Sequence, residues 1–398
     1  MAVLASFFKR VPRALRALLL PGLLSLAGCA HRRPAADTAE LLQDGLYPAA
    51  AETRIPSSAD VFRLSDAMLH YVDGRMGSNA ARHDPRRSLL DALYRAGDLR
   101  LDYDASITRD AAQAFDAKAG NCLSLVIMTA AFARHLGLPV TFQAVLTEDA
   151  YTRSGDLVLV SGHVNLRLGR TPQRLSSSWS AGEDWVVDFL PGVDLAGQHA
   201  QALDEPAVVA MYYNNRAAEE LSAGRSSAAY AWARAALRAA PDHLPAANTL
   251  AVIYLRDGHA EAAERALRWV LQQTPDSVSS LNNLALLLQR SQREAEAQAL
   301  LARVALLQPD APFLWFDQGR HAMAQGRYAQ ARELFARELK RQPGQSEVHY
   351  WAALAAYRLG DTAAAARQMQ LAAESSTADS TRERYKGKLA RLRELQAH

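Results

Sequence analysis

Cys122 is the residue through which this chain could do covalent chemistry. It follows Gly120-Asn121, opens the apolar run 123–136, and has His163 and Asp188 downstream. The run has the length and continuous apolar character of a buried helix, ended by Gly137 and Pro139, and Gly120 would allow a sharp entry. A thiol at a helix N-terminus faces unpaired N–H groups and the positive end of the macrodipole, which favour thiolate over thiol. A cysteine so placed, followed by an imidazole and a carboxylate, suggests a cysteine enzyme. The same position also suits a buried structural cysteine, a common fate of this residue.

Three strand-like runs, 140–147, 157–168 and 185–190, have to bring the other two residues together. Alternation in the second puts His163, Asn165 and Arg167 on one face and Val164, Leu166 and Leu168 on the other. In the third, Trp185, Val187 and Phe189 face away from Asp188. Two such polar faces set His163 beside Asp188 while the reverse sides pack. An isolated histidine in a strand is, as a rule, structural. Upstream, helical spacing over 59–74 and a second short helix over 88–95 supply elements that pack on this unit. His135, at the end of the buried helix, reads as a helix-terminal charge partner.

The other cysteine has a different context. Lys9, Arg10, Arg13 and Arg16 precede a short apolar stretch and Leu-Ala-Gly before Cys29. This resembles the lipobox of bacterial lipoproteins, which implies cleavage before Cys29, a diacylglycerol on its sulfur and a membrane anchor. Ala30 after it favours the outer membrane, facing the periplasm. A plain secretory signal and an N-terminal anchor helix are the alternatives, although the stretch falls short of the roughly 18–20 apolar residues of a span. Removing four basic residues and no acidic one takes the formal charge from +3 to −1. With no basic block left, nucleic acid is not an expected partner. With Cys29 acylated, Cys122 stands alone and the fold rests on hydrophobic cores, not disulfides. Residues 30–57, rich in Ala, Arg and Pro without sustained periodicity, read as a tether.

The C-terminal half repeats itself. Pro241, Pro275, Pro309 and Pro343 are 34 residues apart, Gly224, Gly258, Gly326 and Gly360 keep the same phase, and Gln292 fills the missing glycine step. Ala229, Ala263, Ala297, Ala331 and Ala365 mark the tight helix–helix contact at the same period. This is the tetratricopeptide repeat, with five units over 210–376 and an amphipathic capping helix over 380–396. Asn214, Asn248 and Asn282 share one repeat position, continued by Phe316 and Tyr350. Resemblance to the repeat family puts that position on the concave wall, where amides could hydrogen-bond an extended peptide. Alternatively, Asn is merely tolerated on an exposed helix face.

Gly-Asn-Cys at a helix start, Gly-His-Val-Asn-Leu in a strand and Trp-Val-Val-Asp-Phe in the next carry a further resemblance. With Tyr103-Asp104 and 108–112 upstream, the stretch is similar to the transglutaminase-like superfamily, and the whole to bacterial transglutaminase-like lipoproteins with appended tetratricopeptide repeats. The resemblance implies an α+β, papain-like fold followed by an all-α solenoid. The expected divisions are a leader 1–28, a tether 29–57, a transglutaminase-like domain 58–205 and repeats 206–398. It also implies roles: Cys122 as nucleophile, His163 as base and then acid, and Asp188 as the group that orients the ring. The Cys122 N–H is the first oxyanion donor, while Asn121 is either a second donor or a shaper of the turn. Such a site performs acyl transfer through a thioester. The expected function is hydrolysis of an amide in a peptide or protein recruited by the repeats. The alternatives are a non-catalytic envelope scaffold and an amine-dependent crosslinking acyltransferase. No metal pattern or phosphate loop is visible in the sequence, and no cofactor is expected.

Overall fold

The computed structural model describes residues 38–76, 84–94, 101–104, 107–154, 157–170, 184–189, 200–308, 314–341, 343–376 and 379–397. The leader, Cys29 and the beginning of the expected tether lie outside them. From residue 205 the chain is helical, in antiparallel pairs: α6 (Glu205–Ser222) with α7 (Ser226–Ala239), α8 (Leu244–Arg256) with α9 (Ala260–Gln273), α10 (Val278–Arg290) with α11 (Glu294–Leu307), α12 (Leu314–Ala324) with α13 (Tyr328–Arg341), and α14 (Ser346–Arg358) with α15 (Thr362–Glu374). Each alanine of the repeat series, from Ala229 to Ala365, is fully buried, because a larger side chain there would hold the paired helices apart. The turns within pairs share one bonding pattern. The N–H groups of Arg225, His259, Arg293, Arg327 and Asp361 each return to a carbonyl five residues back, at 2.8 to 3.0 Å. The residue before each has positive φ, which glycine supplies in four turns and Gln292 in the fifth. The last helix, α16 (Asp379–Ala397), covers α15 and buries Tyr385, Leu389 and Leu392.

The preceding region holds α1 (Ser58–Val61), α2 (Asp66–Met76), α3 (Pro85–Tyr94), α4 (Ala111–Ala117) and α5 (Cys122–His135). The expected helix over 59–74 is therefore two, interrupted after Val61 where Phe62 leaves helical geometry as a C-cap. Two residues of β1 (Asp102–Tyr103) pair in parallel with β2 (Ala119–Gly120). A four-stranded sheet has the order β5-β4-β3-β6, from β3 (Val140–Ser154), β4 (Leu157–Leu168), β5 (Trp185–Val187) and β6 (Ala200–Leu203). Its described pairs are antiparallel, with Val145 opposite His163 and Leu166 opposite Val187. Helix α5 packs on β3 and β4 through a side that is apolar along its whole length, as the continuous run requires.

The described part of the expected tether is not a free linker. Residues 38–52 form short 3₁₀ turns at Thr38–Leu41, Asp44–Leu46 and Pro48–Glu52, laid along α7 and α9. Tyr47 stacks on Tyr230 at 4.5 Å and donates its hydroxyl hydrogen bond to Asp257 at 3.0 Å. The Tyr254 hydroxyl donates to the Leu41 carbonyl (2.9 Å) and accepts from the Gln43 N–H (3.0 Å). Asp44 accepts from Tyr230 at 2.8 Å and from Arg234 at 2.7 Å, which holds its carboxyl below the usual carboxylate range. Composition suggested a tether because 3₁₀ turns lack the periodicity that betrays a helix. Buried Leu41, Tyr47 and Ala50 make the segment a strap.

Candidate active site

Cys122 is the first residue of α5, so its N–H is among those that have no acceptor within the helix. Asn121 is the N-cap. Its side-chain carbonyl accepts from the Ser124 N–H (2.9 Å) and hydroxyl (2.8 Å), and its amide donates to Thr108 Oγ1 (2.8 Å). The Asn121 side chain thus holds the helix end through its carbonyl and one amide N–H, as the turn-shaping alternative expects, and its second amide N–H is not used in these bonds. The Ser124 hydroxyl also accepts the Arg109 N–H at 2.8 Å, and Arg109 pairs with Asp104 at 2.9 Å. Gly120 serves this packing differently from the expected sharp entry. A Cβ there would come within 2.7 Å of the Ser124 Cβ.

His163, on β4, and Asp188, just past β5, meet as the strand pattern predicts: His163 Nε2 lies 2.7 Å from Asp188 Oδ2. Asn165, two residues along the same strand face, donates to the same oxygen at 3.0 Å. The histidine is only 6% exposed, and Val164 and Leu166 on the reverse face of its strand are buried, as is Val187. With Nε2 turned to the carboxylate, the ring presents Nδ1 as its remaining nitrogen. Nδ1 is buried and closes no hydrogen bond, yet Cys122 acts on the protonation of the ring. The thiol therefore influences the ring without an aligned hydrogen bond to Nδ1. Burial opposes the imidazolium, but the hydrogen bond to Asp188 and its negative charge, with a further contribution from Cys122, outweigh it. His163 is pushed up to about 9.

The remaining predicted positions are largely covered. Asn214 and Asn248 are buried and Asn282 half-buried. The Asn248 carbonyl is used within the solenoid, accepting from Ser280 (3.1 Å) and Asn283 (3.2 Å) of α10. The sheet also lies against these helices: β3 packs on α6, and β4 packs on α8 and α10. His135 pairs with Asp73 of α2 at 3.1 Å, at the far end of α5 from Cys122. Among the described residues, no group of three or more His, Cys, Asp or Glu could hold a metal ion.

The tetratricopeptide repeat family matches residues 248–312 and 316–380. No curated protein matches the chain. Among solved structures it is similar to pilF of Pseudomonas aeruginosa, with 21% identity over 49% of this chain and 99% of that one and a TM-score of 0.32. A thermophilic TPR protein of Thermus thermophilus gives 20% identity over 46% and 99%, with a TM-score of 0.34. The MamA protein gives 17% over 42% and 91%, with 0.25. The C-terminal half is thus a tetratricopeptide-repeat solenoid. Repeats of this kind are protein-interaction elements, and a protein-interaction role is the one these findings support.

Proposed function

We propose that this chain is a protein-binding repeat protein whose transglutaminase-like N-terminal region performs acyl transfer on a bound polypeptide. The observation that carries the reading is the alignment of His163. Its Nε2 is fixed by Asp188, its Nδ1 is unbonded, and Cys122 stands at the start of α5 with influence on the ring. In the proposed reaction the thiol proton resides on His163 and the sulfur attacks a substrate amide carbonyl. The developing oxyanion meets the Cys122 N–H, and His163 returns the proton to the departing amine. Water, or a second amine, then opens the thioester, so hydrolysis and crosslinking differ only in the acceptor. We further propose that Cys29 carries a lipid and holds the protein at the bacterial outer membrane on its periplasmic side. That proposal rests on the lipobox resemblance.

The second reading, a non-catalytic envelope scaffold, is favoured by the family match falling on the repeats alone. Alkylation of Cys122, followed on the peptide that carries it, separates the two. Acyl transfer expects labelling that stays fast below pH 7 and slows at least tenfold in His163→Ala. A thiol that labels equally slowly in both proteins would leave the scaffold. Release of amine from peptide substrates, against incorporation of a primary amine into a glutamine-bearing acceptor, then distinguishes hydrolysis from crosslinking.

A further inference from the structure

Glu219 lies on α6, the first helix of the solenoid, yet its carboxylate is spent on the loop before α4. Glu219 Oε1 accepts the backbone N–H of Thr108 at 2.6 Å, across 111 residues of sequence. Thr108 is itself buried, and its hydroxyl accepts the amide of Asn121, the N-cap of the helix that Cys122 opens. The next residue, Arg109, donates its N–H to Ser124 one turn into that helix. A single loop, 108–110, therefore joins the solenoid to both polar groups that define the start of α5. The other carboxylate oxygen, Oε2, is held by Arg216 Nη1 at 3.0 Å. Arg216 lies over the Trp232 ring at 5.4 Å and reaches Glu220 at 3.6 Å, so Glu219 sits in a fixed frame.

We infer that Glu219 is a positioning residue for the Cys122 thiol, through which the first repeat sets the geometry of the α5 N-terminus. The inference rests on the acyl-transfer reading of that site. Physically, the Thr108 N–H is buried in a loop without a regular ladder, so losing its acceptor leaves an unpaired donor. The loop relaxes to satisfy it, Thr108 Oγ1 moves from Asn121, and the N-cap that fixes Cys122 loosens. Burial pushes the Glu219 carboxyl up, while Thr108 and Arg216 draw it back towards the ionised acceptor. Arg216 and Trp232 also line a cavity of about 540 Å³ between α1, α4, α6 and α7, so anything that displaces Arg216 reaches the same carboxylate.

The test is the rate of Cys122 alkylation by iodoacetamide in the full chain, read on the peptide carrying Cys122 so that Cys29 does not contribute. Wild type, His163→Ala, Glu219→Leu and Glu219→Gln are compared, each with its thermal midpoint. Glu219→Leu is expected to slow labelling at least fivefold at neutral pH. Glu219→Gln, which keeps a carbonyl acceptor for Thr108, is expected to recover at least half the wild-type rate. A folded Glu219→Leu protein that labels like wild type, while His163→Ala is slow, overturns the positioning role and leaves the acyl-transfer reading intact. A His163→Ala protein that labels like wild type overturns that reading first. If Glu219→Leu does not fold, Thr108→Val cuts the same path between loop and Asn121 while keeping the backbone donor. Its rate must then fall at least threefold for the inference to stand.

Discussion

The first three repeats and the last two follow one 34-residue period but live in different surroundings. Helices α6 to α11 share a continuous core with α5 and with strands β3 to β5, and the strap lies along α7 and α9. Helices α12 to α14 enclose a separate core around Phe316, Phe335 and Val348, and α14 to α16 another around Met369 and Tyr385. A solenoid is close to a sum of units and nearest-neighbour interfaces. Here that sum has been divided: the early units share a core with the candidate site, and among the described residues the late units form their own cores with each other and the cap.

The sharpest way to break this comparison is to open one cavity in each part. Phe335→Ala removes a fully buried ring from the late core and should cost about 3–5 kcal/mol. The loss should be confined to α12–α16, read as faster hydrogen exchange there with β4 and α5 unchanged. Leu250→Ala in α8 should cost about 2–5 kcal/mol and raise exchange in α8 and the sheet together. If Phe335→Ala loosened β4 as much as α13, the chain would be one cooperative unit. Overpacking gives a smaller version of the same test. A Cβ on Gly319 would lie 2.4 Å from the Phe335 ring, so Gly319→Ala should lower stability by about 1–3 kcal/mol, again in the late repeats alone.

Proton linkage sharpens the contrast from the side of the site. His163 rises from an ordinary 6.5 to about 9 on folding, so its stabilising contribution is complete below pH 6.5. As pH climbs from there towards 9, the contribution declines by up to about tenfold in the folding equilibrium per pH unit. Exchange protection of α5 and β4 should fall over that window. Asp188→Asn should flatten the dependence by removing the charge that raises the ring. An unchanged profile in Asp188→Asn would mean that the carboxylate does not hold the proton on His163.

How far the sequence revealed this division depends on what its pattern can encode. The 34-residue phase exposed the helix pairs because each unit repeats the same steric demand, Ala at the contact and positive φ at the turn. The meeting of His163 and Asp188 was legible because strand alternation fixes which residues share a face. The Asn165 contact was half-legible, since it shares the His163 face but nothing in its neighbours marks Asp188 as its partner. The stretch 108–112 stood out only through a family likeness, and its work as a cradle for α5 became visible with Ser124, Asn121 and Glu219 in place. The strap escaped notice because its partners, Tyr230, Tyr254 and Asp257, lie about two hundred residues away with no shared period. Nor could periodicity show how far Asn214 and Asn248 are buried, because it describes a repeat and not what packs against it.

Gln292 is where period and chemistry disagree most, and it predicts the smallest effect. At φ 59 it occupies the left-handed region that its four counterparts fill with glycine, and its turn keeps the bond from the Arg293 N–H to the Leu288 carbonyl at 2.8 Å. A side chain in that region costs about 1–2 kcal/mol from the approach of Cβ to the backbone. Gln292→Gly removes this strain but gives the unfolded chain more freedom, which offsets roughly 0.4–1 kcal/mol. The net should be a gain of about 0.5 kcal/mol, visible as slower exchange in α10 and α11. Because those helices belong to the core shared with the sheet, the gain should extend to β4, which packs on α10. Slower exchange in α10 and α11 with β4 unmoved would place the boundary between the early and late repeats before the third unit, not after it.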